Sequence, residues 1–197
     1  MTQPINVYSF FGMQGSGKST QAKLVSEKLG WPYFNTGNEL REASLEDSEF
    51  GKFLREYLKT GNLVEDKTIH ELFNNFIKNN KDKNFITDGF PRNMAQYEML
   101  KKLSLINGWQ VTAIDIVITE SEAQKRIASR VEVVGGKKIV RSDDRPDIVA
   151  KRIATYQKET QPLLDRYAQD FKLLSIDGMP PIEEVFGEVC RKLKIDD

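Results

Sequence analysis

Residues 12–19, with the sequence Gly-Met-Gln-Gly-Ser-Gly-Lys-Ser, constrain the fold of this chain more than any other stretch. They follow an apolar, strand-like run at 5–11 and open a stretch with apolar residues at helical spacing, Lys18–Leu29. Glycines let backbone N–H groups approach phosphate oxygens, and a helix N-terminus adds its dipole and its free N–H groups. Lys18 supplies a positive charge for the outer phosphates. The order of strand, glycine-rich loop and helix therefore predicts a binding site for a nucleoside triphosphate.

The rest of the chain alternates between strand-like and helix-like patterns. Short apolar runs predict further strands at 31–34, 85–87, 113–119 and 171–176. Helical spacing predicts helices at 66–78, 93–106, 121–130, 146–167 and 182–194. Such alternation is typical of parallel strands with helices on both faces. We therefore predict an α/β fold, a three-layer core around a parallel sheet of five strands.

Length and composition limit the function classes that are open to the chain. Its 197 residues fit a single domain spanning 1–197, and its 29 basic and 29 acidic residues balance. We therefore expect no nucleic-acid partner and no membrane partner. The single cysteine excludes a disulfide framework and a four-thiolate zinc site within the chain. With no basic leader and no apolar run long enough to span a bilayer, we expect a cytoplasmic protein. We also expect it to be a monomer.

A second motif, Asp-Gly-Phe-Pro-Arg at 88–92, directly follows a predicted strand. Its aspartate, Asp88, ends that strand at the carboxyl edge, where α/β sheets place their ligands. There it can hold a water molecule of a Mg²⁺ shell, while the hydroxyl of Ser19 or Thr20 can bind the ion directly. Arg92 offers a planar fork of N–H groups to a phosphate. We therefore predict a magnesium site formed by Ser19 and Asp88, partly through water.

These motifs, taken in order, resemble those of the adenylate kinase family of nucleoside monophosphate kinases. Segment 88–92 is similar to the family signature, and Thr-Gly-Asn-Glu-Leu-Arg at 36–41 resembles its T-G-D-x-L-R segment. Gly-Asn-Leu-Val at 61–64 resembles the loop over the acceptor base, and Arg141 with Arg152 matches the R-x-D-D…R pattern. The resemblance covers almost the whole chain. It implies a P-loop kinase with ATP, AMP and ADP as substrates and with Mg²⁺ as cofactor.

The resemblance also implies roles for particular residues. The expected catalytic side chains are Lys18, Arg92, Arg130, Arg141 and Arg152. The expected contacts to ATP are Gly15, Ser16, Gly17, Lys18, Ser19, Thr20, Arg126, Arg130 and Pro180. The expected contacts to AMP are Thr36, Arg41, Asn62, Leu63, Val64, Gly89, Phe90, Pro91, Arg92, Gln96, Arg141 and Arg152.

Two small subdomains are implied as well, 35–64 over the acceptor and 129–144 as a lid over ATP. Ten residues separate Arg130 from Arg141, Val-Glu-Val-Val-Gly-Gly-Lys-Lys-Ile-Val. Their alternation around two glycines predicts a small β-hairpin with a two-residue turn, since glycine tolerates the positive φ that such turns require. The segment contains no cysteine, which excludes the zinc-bearing version of the lid.

The identity of the acceptor base depends on a few positions. Adenylate kinases carry threonine and glutamine where this chain has Thr36 and Gln96, whereas uridylate–cytidylate kinases usually carry alanine and asparagine. A glutamine amide can donate to and accept from an adenine edge at the same time. Asn93, next to Arg92, is instead frequent in the pyrimidine enzymes. The sequence favours AMP and leaves a UMP/CMP kinase as the alternative.

The chain departs from the family pattern at one residue of the 36–41 segment. Asn38 replaces the family's aspartate, and we expect this change to weaken metal anchoring at most.

A remote alternative is a GTP-driven switch or a nucleotide-binding regulatory module, which would normally carry N-K-x-D. The segment 80–83, Asn-Lys-Asp-Lys, has no aspartate at the fourth place. A regulatory module would also not need five arginines spaced as in a kinase.

Overall fold

The computed structural model describes residues 4–58, 60, 64–129, 132–134, 137–139 and 145–195, with backbone only for 132–134 and 137–139. Four of the expected site residues, Asn62, Leu63, Arg130 and Arg141, lie outside this description.

The centre of the molecule is a five-stranded parallel sheet in the order β2-β3-β1-β4-β7. Its strands are β1 (Asn6–Phe11), β2 (Tyr33–Asn35), β3 (Phe85–Asp88), β4 (Gln110–Val117) and β7 (Lys172–Asp177). A separate antiparallel pair consists of β5 (Glu132–Val134) and β6 (Lys137–Ile139). This pairing agrees with the hairpin strands predicted from the sequence, and the turn residues 135–136 lie outside the description.

Helices surround the sheet. They are α1 (Lys18–Leu29), α2 (Thr36–Leu45), α3 (Glu49–Leu58), α4 (Asp66–Asn79), α5 (Met94–Asn107), α6 (Glu120–Ala128), α7 (Pro146–Thr155), α8 (Gln161–Asp170) and α9 (Ile182–Leu193). None of the helices in the described part of the chain is long and apolar enough to cross a membrane.

Alternate residues of the central strand pack into two separate cores. Val7 and Phe11 of β1 pack with buried side chains of α4, α5 and α8, whereas Phe10 packs with side chains of α1 and α9. Side chains on a strand alternate between its two faces, so a sheet covered by helices on both sides needs apolar residues in both registers. The predicted three-layer α/β fold with a parallel five-stranded sheet is confirmed.

Three helical regions differ from the helices predicted above: α2, α3 and the region 146–167. The pattern does not predict α2, because two of its three buried residues, Thr36 and Ser44, are polar and only Leu40 is apolar. The region 146–167 is helical throughout, as predicted, but a π-helical segment, Tyr156–Thr160, interrupts the α-helical geometry between α7 and α8. Pro162 lies in the first turn of α8, and a proline there can neither donate the usual hydrogen bond nor fit a continuous α-helix.

Candidate active site

The carboxyl ends of three neighbouring strands bring the polar groups of the site together. In the sheet register Asp88, at the end of β3, is aligned with Phe10 of β1 on one side and with Asn35 of β2 on the other. The glycine-rich loop at 12–17 leaves β1 at this same edge. Parallel strands expose their carboxyl ends along one edge, which is where α/β proteins bind ligands.

The loop conformation requires glycine and leaves the start of α1 open. Gly15 has φ +88°, and a Cβ there would lie 2.8 Å from the carbonyl oxygen of Ala123. The hydroxyl of Ser16 accepts a hydrogen bond from the Lys18 N–H at 3.4 Å, which supports the turn. The N-cap residue Gly17 has no side chain, so it cannot cap the helix. The first N–H groups of α1 are therefore suited to bind an anion.

Two cavities at this edge share four residues, Gln14, Lys18, Arg92 and Arg152. The larger, of about 530 Å³, is a cleft between the phosphate loop, β2 and α2, and the smaller is about 110 Å³. The predicted site residues that line the larger cleft are Gly15, Lys18, Ser19, Thr20, Arg41, Asp88, Arg92 and Arg152. With two lysines and three arginines against two carboxylates around it, the cleft has the charge and size to hold a nucleotide polyphosphate.

One carboxylate oxygen of Asp88 is hydrogen-bonded to neighbouring side chains, and the other is available to a ligand. The carboxylate is buried, and its Oδ2 accepts from the Tyr33 hydroxyl at 2.8 Å and from the Asn35 amide. Burial and the charge of Asp88 raise the pKa of Tyr33, so this hydroxyl remains a neutral donor at physiological pH. Asp88 Oδ1 is buried and has no hydrogen-bond partner among the described residues.

The arrangement fits a magnesium ion that is bound together with a nucleotide. Mg²⁺ prefers carboxylate, hydroxyl, phosphate and water oxygens, and the free Oδ1 of Asp88 shares the cleft with the hydroxyl of Ser19. Within the described ranges no group of three or more His, Cys, Asp and Glu side chains could hold a metal by itself. Phosphate oxygens and water would therefore have to complete the coordination.

The loop carrying Arg92 is fixed at three points. Arg92 Nε donates to the carbonyl of Gly89 at 2.8 Å, its backbone N–H donates to Gln96 Oε1 at 2.9 Å, and its carbonyl accepts from Thr160 Oγ1 at 2.7 Å. Gly89 has φ +67°, and a Cβ there would lie 2.6 Å from Arg92 Nη2. Glycine is thus required for the guanidinium to fold back over its own loop.

Three arginines around the cleft act on one another electrostatically. Burial lowers the pKa of Arg92 to about 10, with Arg152 and Arg41 acting in the same direction and Asp88 opposing them. Arg92 therefore remains protonated at neutral pH. Arg41 also donates to the amide oxygen of Asn38. A bound phosphate would relieve this repulsion between like charges.

Several expected acceptor contacts lie behind the wall of the cleft. Thr36 is buried and donates to the carbonyl of Gly89 at 2.7 Å. Gln96 and Val64 are also buried, and Phe90 packs against Phe73 with a ring distance of 4.2 Å. The structure therefore brings Arg41, Gly89, Pro91, Arg92 and Arg152 to the two cavities and places the other four inside the surrounding protein.

Arg126 holds a loop of the core. Its guanidinium donates to the carbonyls of Gly178 at 2.9 Å and Met179 at 3.1 Å, and to Glu122 at 2.8 Å. These bonds fix the connection from β7 to α9, which contains Pro180. Neither Arg126 nor Pro180 lines either of the two cavities described above. The two residues belong to a separate region beside α6.

Four residues of the site were not predicted from the sequence. Gln14 lines both cavities, Tyr33 and Asn35 hold the Asp88 carboxylate, and Thr160 anchors the Arg92 loop. Asn35 and Tyr33 do stand at the end of a predicted short strand, which is a weak signal. Only the order of strands in the sheet shows that this strand lies next to Asp88.

The parallel sheet, the phosphate loop after its central strand and the arginine-lined cleft together define a P-loop phosphotransferase. A sequence model of the family described as "Adenylate kinase" matches residues 10–172 of the chain. The chain is 36% identical over 181 residues to an adenylate kinase of Parabacteroides distasonis, with 91% of this chain and 93% of that protein covered.

Two further relatives give the same result. An adenylate kinase of Archaeoglobus fulgidus is 35% identical, with 91% of this chain and 94% of that protein covered. An adenylate kinase of Brucella melitensis is 37% identical, with 92% and 95% covered. The chain belongs to the adenylate kinase family and is therefore a nucleoside monophosphate kinase.

Proposed function

We propose that the protein catalyses the reversible reaction ATP + AMP = 2 ADP with Mg²⁺. The observation that carries this proposal is the convergence of Lys18, Arg41, Arg92 and Arg152 on one cleft beside the phosphate loop. A donor triphosphate and an acceptor phosphate need many positive charges at one place, and few other ligands do. The family membership supports the same reaction.

Transfer would occur by direct in-line attack of the acceptor phosphate on the γ-phosphorus of ATP. No general base is required, because the attacking phosphate oxygen is already anionic at neutral pH. Lys18, Arg92 and Arg152 would neutralise the charge that develops on the transferred group, together with Arg130 and Arg141 as the family resemblance implies. When bound, Mg²⁺ supplies further charge neutralisation, and Asp88 and Ser19 are the side chains that would hold it.

The two nucleotides would occupy opposite sides of the cleft. The triphosphate of ATP fits the N-terminus of α1, with Gly15, Ser16, Gly17, Ser19 and Thr20 around it and its base towards Arg126 and Pro180. The AMP phosphate fits Arg41 and Arg92. Its base would be read by Thr36 and Gln96 from the wall behind. We further propose that 35–64 closes over AMP and that 129–144 closes over ATP, which would exclude water as a competing acceptor.

The structure gives Asn93, the feature that favoured a pyrimidine acceptor, a different function. Its side-chain oxygen caps α5 by accepting from the Gln96 N–H at 3.0 Å, and its nitrogen donates to Asp66 at 2.8 Å. This structural role at the start of α5 accounts for an asparagine at position 93, so its presence no longer favours a pyrimidine acceptor. We therefore propose AMP over CMP and UMP as the acceptor. We also propose that the protein is a monomer and that it acts on these small molecules in the cytoplasm.

Steady-state competition among AMP, CMP and UMP in a coupled assay tests the proposal. We expect AMP to have the highest kcat/KM. Gln96→Asn combined with Thr36→Ala should erode the advantage of AMP by about ten- to a hundredfold, because a buried polar group of the base would lose its partner. Lys18→Ala is the control and should remove transfer to every acceptor.

Two outcomes would contradict the proposal in different ways. A higher kcat/KM for CMP or UMP than for AMP would refute the adenylate assignment and leave the kinase chemistry intact. ATP hydrolysis of equal rate with and without any acceptor would refute the kinase function itself.

A further inference from the structure

The side-chain amide of Gln96 is held in one orientation by two partners of opposite kind. Its oxygen accepts from the backbone N–H of Arg92 at 2.9 Å, and its nitrogen donates to Asp66 Oδ1 at 2.8 Å. A backbone N–H can only donate, and an ionised carboxylate can only accept. Rotating the amide by 180° would place donor against donor and acceptor against acceptor.

Asp66 lies where such a constraint can affect the acceptor site. It is the first residue of α4 and follows the segment 61–64, which the family resemblance assigns to the acceptor base. The same Oδ1 also accepts from Asn93 Nδ2 at 2.8 Å, and Asn93 Oδ1 accepts from the Gln96 N–H at 3.0 Å. Asp66, Asn93 and Gln96 therefore form a closed network that joins the start of α4 to the start of α5.

The two internal bonds do not use the whole hydrogen-bonding capacity of the amide. A primary amide has two N–H donors and two acceptor positions on its oxygen, so one of each remains. A 6-aminopurine presents an N–H donor at position 6 beside an acceptor at N1, and a 6-oxopurine presents the reverse pair. An amide with fixed polarity matches only one of these edges, whereas an amide that can rotate serves either.

We propose that Asp66 is a positioning residue that fixes the polarity of the Gln96 amide and so makes the enzyme select a 6-aminopurine over a 6-oxopurine acceptor. The inference rests on the proposed function, in which Gln96 contacts the base of AMP. It assigns Asp66 a role beyond a favourable acidic residue in the first turn of a helix.

The test compares AMP with IMP, which differ only in the edge at issue. Asp66→Ala should lower the ratio of kcat/KM for AMP to that for IMP by about three- to tenfold, because it removes one of the two hydrogen bonds that fix the amide and leaves that from the Arg92 N–H. The effect should lie in the acceptor KM, with the KM for ATP unchanged. Direct titration of AMP and IMP without ATP should show the same loss of discrimination.

Three further variants separate positioning from structural support. Glu65→Ala removes an exposed carboxylate from the neighbouring position at the start of α4 and should leave the AMP/IMP ratio unchanged. Asp66→Asn keeps an oxygen acceptor and should restore most of the selectivity. Asp66→Ser keeps a polar residue suited to a helix start, but its hydroxyl can both donate and accept, so selectivity should fall as with alanine.

The outcomes distinguish this inference from the proposed function. Equal losses for AMP and IMP in both Asp66→Ala and Asp66→Ser would overturn the inference and leave the proposed function in place. Failure of the unmodified protein to phosphorylate AMP would overturn the proposed function, and the inference with it.

Discussion

At the scale of single residues, three hydrogen bonds hold Arg92 at the centre of the site. Its backbone and its guanidinium are tied to Gly89, Gln96 and Thr160, so the group is preorganised before any ligand binds. It also shares both cavities with Lys18 and Arg152. Charge that is fixed in place costs no reorganisation during the reaction, which makes it effective in the transition state.

Replacing Arg92 with alanine should therefore impair both catalysis and acceptor binding. We expect a loss of about 2–4 kcal/mol in transition-state stabilisation, by analogy with the removal of one oxyanion-hole donor. Arg92→Lys should recover only part of this, since a point charge lacks the planar fork. Steady-state kinetics with varied AMP and varied ATP measure the effect.

The control for this prediction is Arg191→Ala, at an exposed ion pair with Glu188, which should behave as the unmodified protein. A change confined to the KM for ATP would contradict the role given to Arg92.

At the scale of elements, the ends of the helices carry the polar groups that build the site. Asn35 caps α2 by accepting from the Asn38 N–H at 2.8 Å while it donates to Asp88, and Asn93 caps α5 while it donates to Asp66. Each asparagine thus satisfies a free N–H of a helix and fixes an acidic side chain with the same amide. The stability of a helix start and the geometry of the site are therefore linked.

Removal of the α5 cap should have a measurable cost in stability. Asn93→Ala is expected to lower the free energy of unfolding by about 1–2 kcal/mol, because the Gln96 N–H loses its acceptor at the helix start. Urea denaturation at an unchanged m-value gives the difference. Asn107→Ala, at the exposed end of the same helix, should cost less. An equal transition midpoint for Asn93→Ala and the unmodified protein would show that water replaces the cap.

At the scale of the whole molecule, the cleft lies between parts of the chain that we propose to move. The larger cleft is lined by the phosphate loop and β3 of the core on one side and by residues of α2 on the other. Positive charge therefore faces a ligand from both sides. A bound acceptor phosphate would reduce the repulsion among Arg41, Arg92 and Arg152, and we propose that this favours closure of the cleft.

Closure of 35–64 can be followed with a pair of fluorescent labels. Leu45 in α2 and Leu105 in α5 are 81% and 75% exposed, whereas the native Cys190 is 6% exposed and should label poorly. With cysteines at 45 and 105, we expect AMP alone to shift the energy-transfer efficiency. A control pair at 105 and Val117, both exposed and both outside 35–64 and 129–144, should not respond. Identical efficiencies at 45 and 105 with and without saturating AMP would contradict the proposed movement.

The sequence by itself determined those parts of the site that are local. The phosphate loop needs only a strand, its glycines and a helix start, all within residues 5–29, and Asp88 to Arg92 form one short loop. Hydrophobic alternation also determined the α/β class, because each strand must bury both of its faces. Local backbone chemistry and side-chain period carry this information, so no distant residue is required to interpret it.

Only the tertiary structure decided which distant residues meet. The strand order β2-β3-β1 places Asn35 against Asp88, and the packing of α8 against the core brings Thr160 to the carbonyl of Arg92. Asp66 and Gln96 are thirty residues apart in sequence, and their bond depends on how α4 and α5 start beside each other. These contacts depend on strand register and on helix packing, which arise from the summed burial of the two cores. No short sequence motif specifies this packing, so the residues that orient the site could be identified only in the folded chain.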